Sequence, residues 1–177
     1  AQHLVTLDPV AVELVDDTMI DLARSIPIFQ PTVEEAVRGN PAALLLVEFA
    51  EEDMAENERR LRQLHEMMGD LGFGWDKGAA WRGGVVDAID PRMQGRISEW
   101  RKSGLNIMMS EKSEAKPVSF LEDCAVELKD LAEYTDKLTA IFDRNGVKGT
   151  WYAHASVGCL HVRPVLNMKQ ARGAETM

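Results

Sequence analysis

Trp151 to Pro164 reads WYAHASVGCLHVRP, and its two histidines, His154 and His161, lie seven residues apart across Ser156-Val157-Gly158. Small and apolar residues lead into that turn. Beyond it, Leu160 and Val162 alternate with His161 and Arg163. A hairpin of this kind can aim two imidazoles at one point, and neutral imidazole is a common ligand for zinc, manganese and iron. A catalytic metal usually takes three protein ligands and keeps one position open, so two histidines and a carboxylate would suffice. The spacing alone also suits two unrelated histidines at a strand edge. Glu122 and Asp123 are carboxylates in the same half of the chain, but nothing in the sequence ties them to the pair. Arg101 follows Ile97 by one helical turn, on or beside an apolar face. A guanidinium there needs a partner or a solvated pocket, or it snorkels at the edge.

Strand and helix signals alternate along the chain that must position these residues. Val10 to Val15 (VAVELV) reads as a short strand and Thr18 to Ser25 as a helix. Thr32 with Glu35 has the form of a capping box opening another helix. Ala43 to Phe49 (ALLLVEF) is apolar enough for a central strand covered on both faces. Asp53 and Glu56 open a helix carrying Leu61, Leu64, Met68 and Leu71 at helical spacing; His65 sits on it among charged neighbours, as an ordinary surface residue. Trp81 to Ala88 reads as a strand. Asp90-Pro91 then opens a helix that continues through Met93, Ile97, Leu105 and Met108. Pro117 to Val126 reads as a further strand. The stripe Leu128, Leu131, Leu138, Ile141 makes a helix that ends at Asn145-Gly146, and Trp151 to Val165 is the last strand pair. No G-x-G-x-x-G and no Walker loop occurs, so a self-contained nucleotide-binding sheet is disfavoured. The expected fold is α+β: a ferredoxin-like sandwich with a mainly antiparallel sheet and helices on one face.

With 177 residues, 45% of them hydrophobic, the chain supports one sizeable core. It carries 20 basic and 29 acidic residues, a net charge of -9, with no basic run to serve as a nucleic-acid patch. No apolar run is long enough to span a bilayer. Cys124 and Cys159, far apart, do not make a disulfide scaffold, and a reducing cytoplasm is the expected home. The chain opens on Ala1 and closes on the polar MKQARGAETM, so residues 1–177 are expected to be part of a longer protein.

WYAHASVGCLHVRP resembles the histidine motif of the C-terminal domain of FAD-linked oxidases, approximately G-H-x-G-D-G-N-x-H, in which His154, Gly158 and His161 match. VAVELVDDTMIDLA resembles the opening of that domain, EWRKSGL its arginine-bearing helix, and KPVSFLEDCAV its lysine-bearing strand. The family includes D-lactate and D-2-hydroxyglutarate dehydrogenases and the glycolate oxidase flavin subunit. A bacterial subgroup of long oxidoreductases, some with an iron–sulfur region, is the nearest in pattern. The resemblance implies that His154 and His161 hold a divalent metal against the substrate and serve catalysis. It implies that Arg101 and Lys116 bind the substrate carboxylate. FAD would be bound mainly by an upstream domain, and a third metal ligand, a glutamate, would lie downstream.

Ser156, Val157 and Cys159 depart from the motif. Leu105 stands where dicarboxylate-binding relatives tend to carry threonine, and Arg163 where many carry asparagine. The expectation is therefore the substrate-side domain of an FAD-dependent dehydrogenase of a small D-2-hydroxy acid such as D-lactate. These residues alone would be inactive. A redox acceptor or iron–sulfur region would complete the full protein, which is placed in the cytoplasm or peripherally at the inner membrane. The rival from another class is a non-catalytic α+β binding domain, a homodimer through exposed strand edges, with structural histidines.

Overall fold

The computed structural model describes residues 1–76, 78, 81–110 and 112–177, without the side chains of Trp81 and Arg82. The strands are β1 (Ala11–Asp16), β2 (Ala43–Glu48), β3 (Phe73–Gly74), β4 (Trp81–Arg82), β5 (Lys116–Pro117), β6 (Leu121–Ala125), β7 (Gly149–His154) and β8 (Cys159–Leu166). The helices are α1 (Asp17–Ser25), α2 (Gln30–Ala36), α3 (Met54–Asp70), α4 (Pro91–Lys102), α5 (Gly104–Met109), α6 (Leu131–Arg144) and α7 (Ala171–Thr176). Among the described residues six strands form one sheet in the order β2-β1-β7-β8-β5, with β6 also on β8; every pairing in it is antiparallel. The α+β architecture with a mainly antiparallel sheet therefore stands.

The helical layer differs from expectation. Val12, Ala153, Leu160 and Val162 pack with Leu64 of α3 and with Leu138 and Phe142 of α6. Val15, one residue out of that alternation, packs on the opposite face with Met19 and Ile20 of α1, Val33 of α2, Trp100 of α4 and Ile107 of α5. Both faces carry helices because the inner strands are apolar at both parities over part of their length.

Five further local expectations change. The helix opened by Thr32 begins earlier, with Pro31 in its first turn and Thr32 buried inside it. Proline is suited to that turn since the missing N–H has no partner there anyway. Ala43 to Glu48 is an edge strand, not a central one, and Leu45 is exposed. Residues 83–89 form no strand; only Trp81–Arg82 pairs, in parallel with Phe73–Gly74. Residues 116–125 divide into β5 and β6, and β6 carries a register shift between Leu121 and Cys124. The long apolar helix of 91–108 is likewise two helices meeting at Ser103, and Leu105 is exposed.

Helix starts otherwise follow the sequence. Asp53 and Asp90 accept backbone N–H bonds at the starts of α3 and α4. Asp16, the last residue of β1, caps α1 through Met19 N–H at 2.9 Å, and its second oxygen accepts from Trp151 N–H at 2.7 Å.

Candidate active site

Strand register decides what shares a face. Glu13 pairs with His154, His154 with Cys159, and Tyr152 with His161. Paired and alternate residues point the same way in a pleated sheet, so Glu13, Tyr152, His154, Cys159 and His161 occupy one face. The His154 and His161 ring centroids are 5.1 Å apart, with the planes at 87°. Tyr152 stacks on His161 at 5.7 Å.

The turn between the rings depends on Gly158. Its φ is +69°, and a Cβ there would lie 1.9 Å from the Val126 carbonyl oxygen. Only glycine takes that conformation at that approach.

The residue at the centre of the group is Glu13, which the sequence reading passed over as part of an ordinary strand. Its side chain is only 7% exposed. It accepts from Arg101 Nη2 at 2.5 Å, from the Tyr152 hydroxyl at 3.0 Å and from His154 Nδ1 at 2.8 Å. Arg101 Nε donates to the Tyr152 oxygen at 3.1 Å, closing the network. A buried carboxylate needs such partners. A signal was available: in VAVELV, Glu13 is the one charged residue, flanked by valine and leucine.

Arg101 is delivered by its neighbour. Trp100 is fully buried in the core of that face and pins the last turn of α4. Burial works against the Arg101 charge, but the Tyr152 and Glu13 contacts outweigh it and its pKa moves up. Burial also raises the Tyr152 pKa, with Glu13 adding to the shift. The phenol therefore stays protonated and donates.

A carboxylate oxygen only accepts, so the contact at His154 fixes the proton on Nδ1 and leaves Nε2 as an acceptor. His161 also has a carboxylate neighbour: its Nδ1 lies 3.1 Å from Asp123 Oδ1. Glu122 takes the other direction and pairs with Arg163. Both carboxylates thus reach β8, a connection the sequence did not reveal. His65, expected to have no role, pairs with Asp87 at 2.9 Å on the surface.

Three of the four predicted site residues, Arg101, His154 and His161, lie within one connected group. Lys116, half-buried on β5, pairs with Leu166. That register is about 16 Å along β8 from His161. Glu13 and Arg101 line an open groove of about 1570 Å³, also bounded by β2, α3 and the segment 83–89.

Residues 2–177 match the family model for the C-terminal domain of FAD linked oxidases. The chain belongs to that family. Its similar relatives are D-2-hydroxyglutarate dehydrogenases: that of Pantoea ananatis is 31% identical and that of Escherichia coli 30%, each match covering 95% of this chain and 16% of the relative. That of Haemophilus influenzae is 26% identical over the same shares. The chain therefore spans 16% of the length of these relatives. In this FAD-linked oxidase domain, the histidine motif, the arginine helix and the domain opening that carries Glu13 form one hydrogen-bonded unit. Among the described residues no helix is long and apolar enough to cross a membrane.

Proposed function

We propose that this chain forms the substrate-side part of an FAD-dependent dehydrogenase that oxidises a D-2-hydroxy acid. One arrangement carries the reading. Two imidazoles lie side by side with their Nδ1 atoms near carboxylates, His154 hydrogen-bonded to Glu13 with its Nε2 left to accept, beside a guanidinium that Glu13 bridges to it. Family membership supports the flavin cofactor.

Arg101 would bind the substrate carboxylate. Glu13 and Tyr152 engage Nη2 and Nε, so among the described residues the rest of the guanidinium fork remains available for a bidentate contact. Glu13 ties that fork to His154, which sets the bound carboxylate at a fixed distance from the imidazoles. For Lys116 a carboxylate-binding role rests on the family resemblance alone, since its register lies about 16 Å along β8 from His161. The relatives' name supports the dicarboxylate D-2-hydroxyglutarate; D-lactate, the narrower expectation, draws no support from them.

The two histidines fit a divalent metal as a partial ligand set, since a carboxylate on the remote nitrogen is the usual companion of a metal-bound imidazole. His154 and His161 would hold the ion, which would polarise the substrate hydroxyl as a Lewis acid. Zinc, manganese and iron all accept such ligands. The chain carries no G-x-G-x-x-G sequence to cradle the phosphates of FAD. The flavin would be held by other sequence, and a redox acceptor would reoxidise it.

The test uses the full protein that carries this chain, assayed with D-2-hydroxyglutarate and D-lactate and a dye acceptor. His161→Ala is expected to lower turnover by about 100-fold or more. Glu13→Gln should lower it by about 10–100-fold while leaving flavin content unchanged. Equal rates in wild type and His161→Ala would overturn the role given to the histidines.

A further inference from the structure

We propose that Asp123, Cys159 and His161 form a thiolate-containing site for a borderline-soft divalent cation of the zinc class. It shares His161 with the proposed function, makes Asp123 a ligand where that reading has it as a neighbour of His161 Nδ1, and rests on no other part of that reading. The donor atoms of these three side chains all lie within 4.8 Å of one another. A tetrahedral zinc ion with a thiolate, an imidazole and a carboxylate needs its donors about 3.3–3.8 Å apart, as follows from the bond lengths. Closing the set therefore asks for side-chain movement, with no rearrangement of the strands.

Three elements build it. Cys159 and His161 are alternate residues of β8 and so share a face. Asp123 lies within the register shift of β6, where its φ of +58° departs from the strand. Its carboxylate thereby reaches His161 instead of following the pleat. The set has one ligand of each kind, and only the thiolate distinguishes it from an ordinary surface ion pair. Softness then selects the ion: a thiolate favours zinc and cobalt over magnesium or calcium. Asp123 is 79% exposed, which gives an entry path, while the His161 side chain is 21% exposed.

The other groupings offer less. Among the described residues no third histidine, cysteine or carboxylate joins His154 and His161 in a comparable cluster. Glu13 occupies His154 from behind. Cys124 pairs with Leu160, whose side chain belongs to the α6 face, so the second thiol lies on the other side of the sheet.

The experiment adds cobalt(II) to the reduced, metal-stripped protein and reads the thiolate-to-cobalt charge-transfer absorption and the visible bands of tetrahedral cobalt. Saturation at a single equivalent with both signals is expected. Cys159→Ser should abolish the charge-transfer band, and Asp123→Asn should weaken binding about tenfold while keeping it. His154→Gln and Cys124→Ser should leave the band in place. A band that never develops, that survives Cys159→Ser, or that vanishes in Cys124→Ser overturns the site, as does unchanged affinity in Asp123→Asn. Substrate oxidation reads the other proposal separately: turnover lost in His154→Gln with the band intact supports both. Normal turnover in a wild type that shows no band sinks the thiolate site alone.

Discussion

The chemistry of this face hangs on single residues whose replacement has computable consequences, and Gly158 is the sharpest case. It turns β7 into β8 at φ +69° under the Val126 carbonyl, which accepts no Cβ at 1.9 Å. Gly158→Ala must therefore pay a left-handed backbone cost of about 1–2 kcal/mol and also displace the contact between Val126 N–H and Gly158 O. The expected result is an unfolding free energy, read from denaturant titration, lowered by at least that amount, with the His154 and His161 ring resonances shifted together. Unchanged stability would show that the turn is not built as described. Residues of this kind were partly legible in the sequence. Histidines flanking a small turn, with apolar residues alternating behind them, specify a shared face by strand periodicity alone. Glu13 was not legible by the same rule, since alternation in VAVELV assigns a charged residue to solvent. What overrides the rule is a partner from far along the chain, Arg101, and sequence spacing carries no record of that contact.

At the scale of elements, the joint between β1 and α1 matters most, because one carboxylate serves both it and β7. Asp16 caps α1 and also receives the Trp151 N–H. Burial pushes its pKa up to about 6, against the pull of the Met19 and Trp151 amides. The protonated form is thus favoured more in the folded chain than in the unfolded one. Stability from this group is full below pH 3.8 and is lost as pH rises through about 6. The difference in stability between wild type and Asp16→Asn should change by about 2 kcal/mol between pH 4 and pH 7, with wild type losing ground as pH rises. Urea midpoints for both proteins across that range provide the check; a constant difference would rule the coupling out. Elements announced by capping aspartates, such as α3 and α4, were readable. ALLLVEF misled because its apolar side chains line the groove beside α3, where they resemble the interior of a sheet while the strand itself lies at the edge. The register shift in β6, which brings Asp123 to His161, leaves no mark in residue type.

Over the whole molecule, one sheet is the common wall of two cores. Val12, Ala153, Leu160 and Val162 face α6, and the residues alternating with them, Glu13, Tyr152, His154 and His161, make the candidate site. A cavity opened on the α6 side must therefore loosen the strands that carry the histidines, although no site residue is touched. Leu138→Ala removes a side chain that is 9% exposed in that far core. It should cost about 2–5 kcal/mol. Because the two cores share backbone hydrogen bonds and not merely contacts, that loss should appear as one transition. Amide exchange in α1, on the site side, and in α6, on the far side, should shift to the same lower midpoint. Separate transitions, with α1 keeping its original protection after α6 has melted, would mean that the helices on the site face are stable without the opposite core. The histidine pair would then owe its geometry to α1, α4 and the Glu13 network alone.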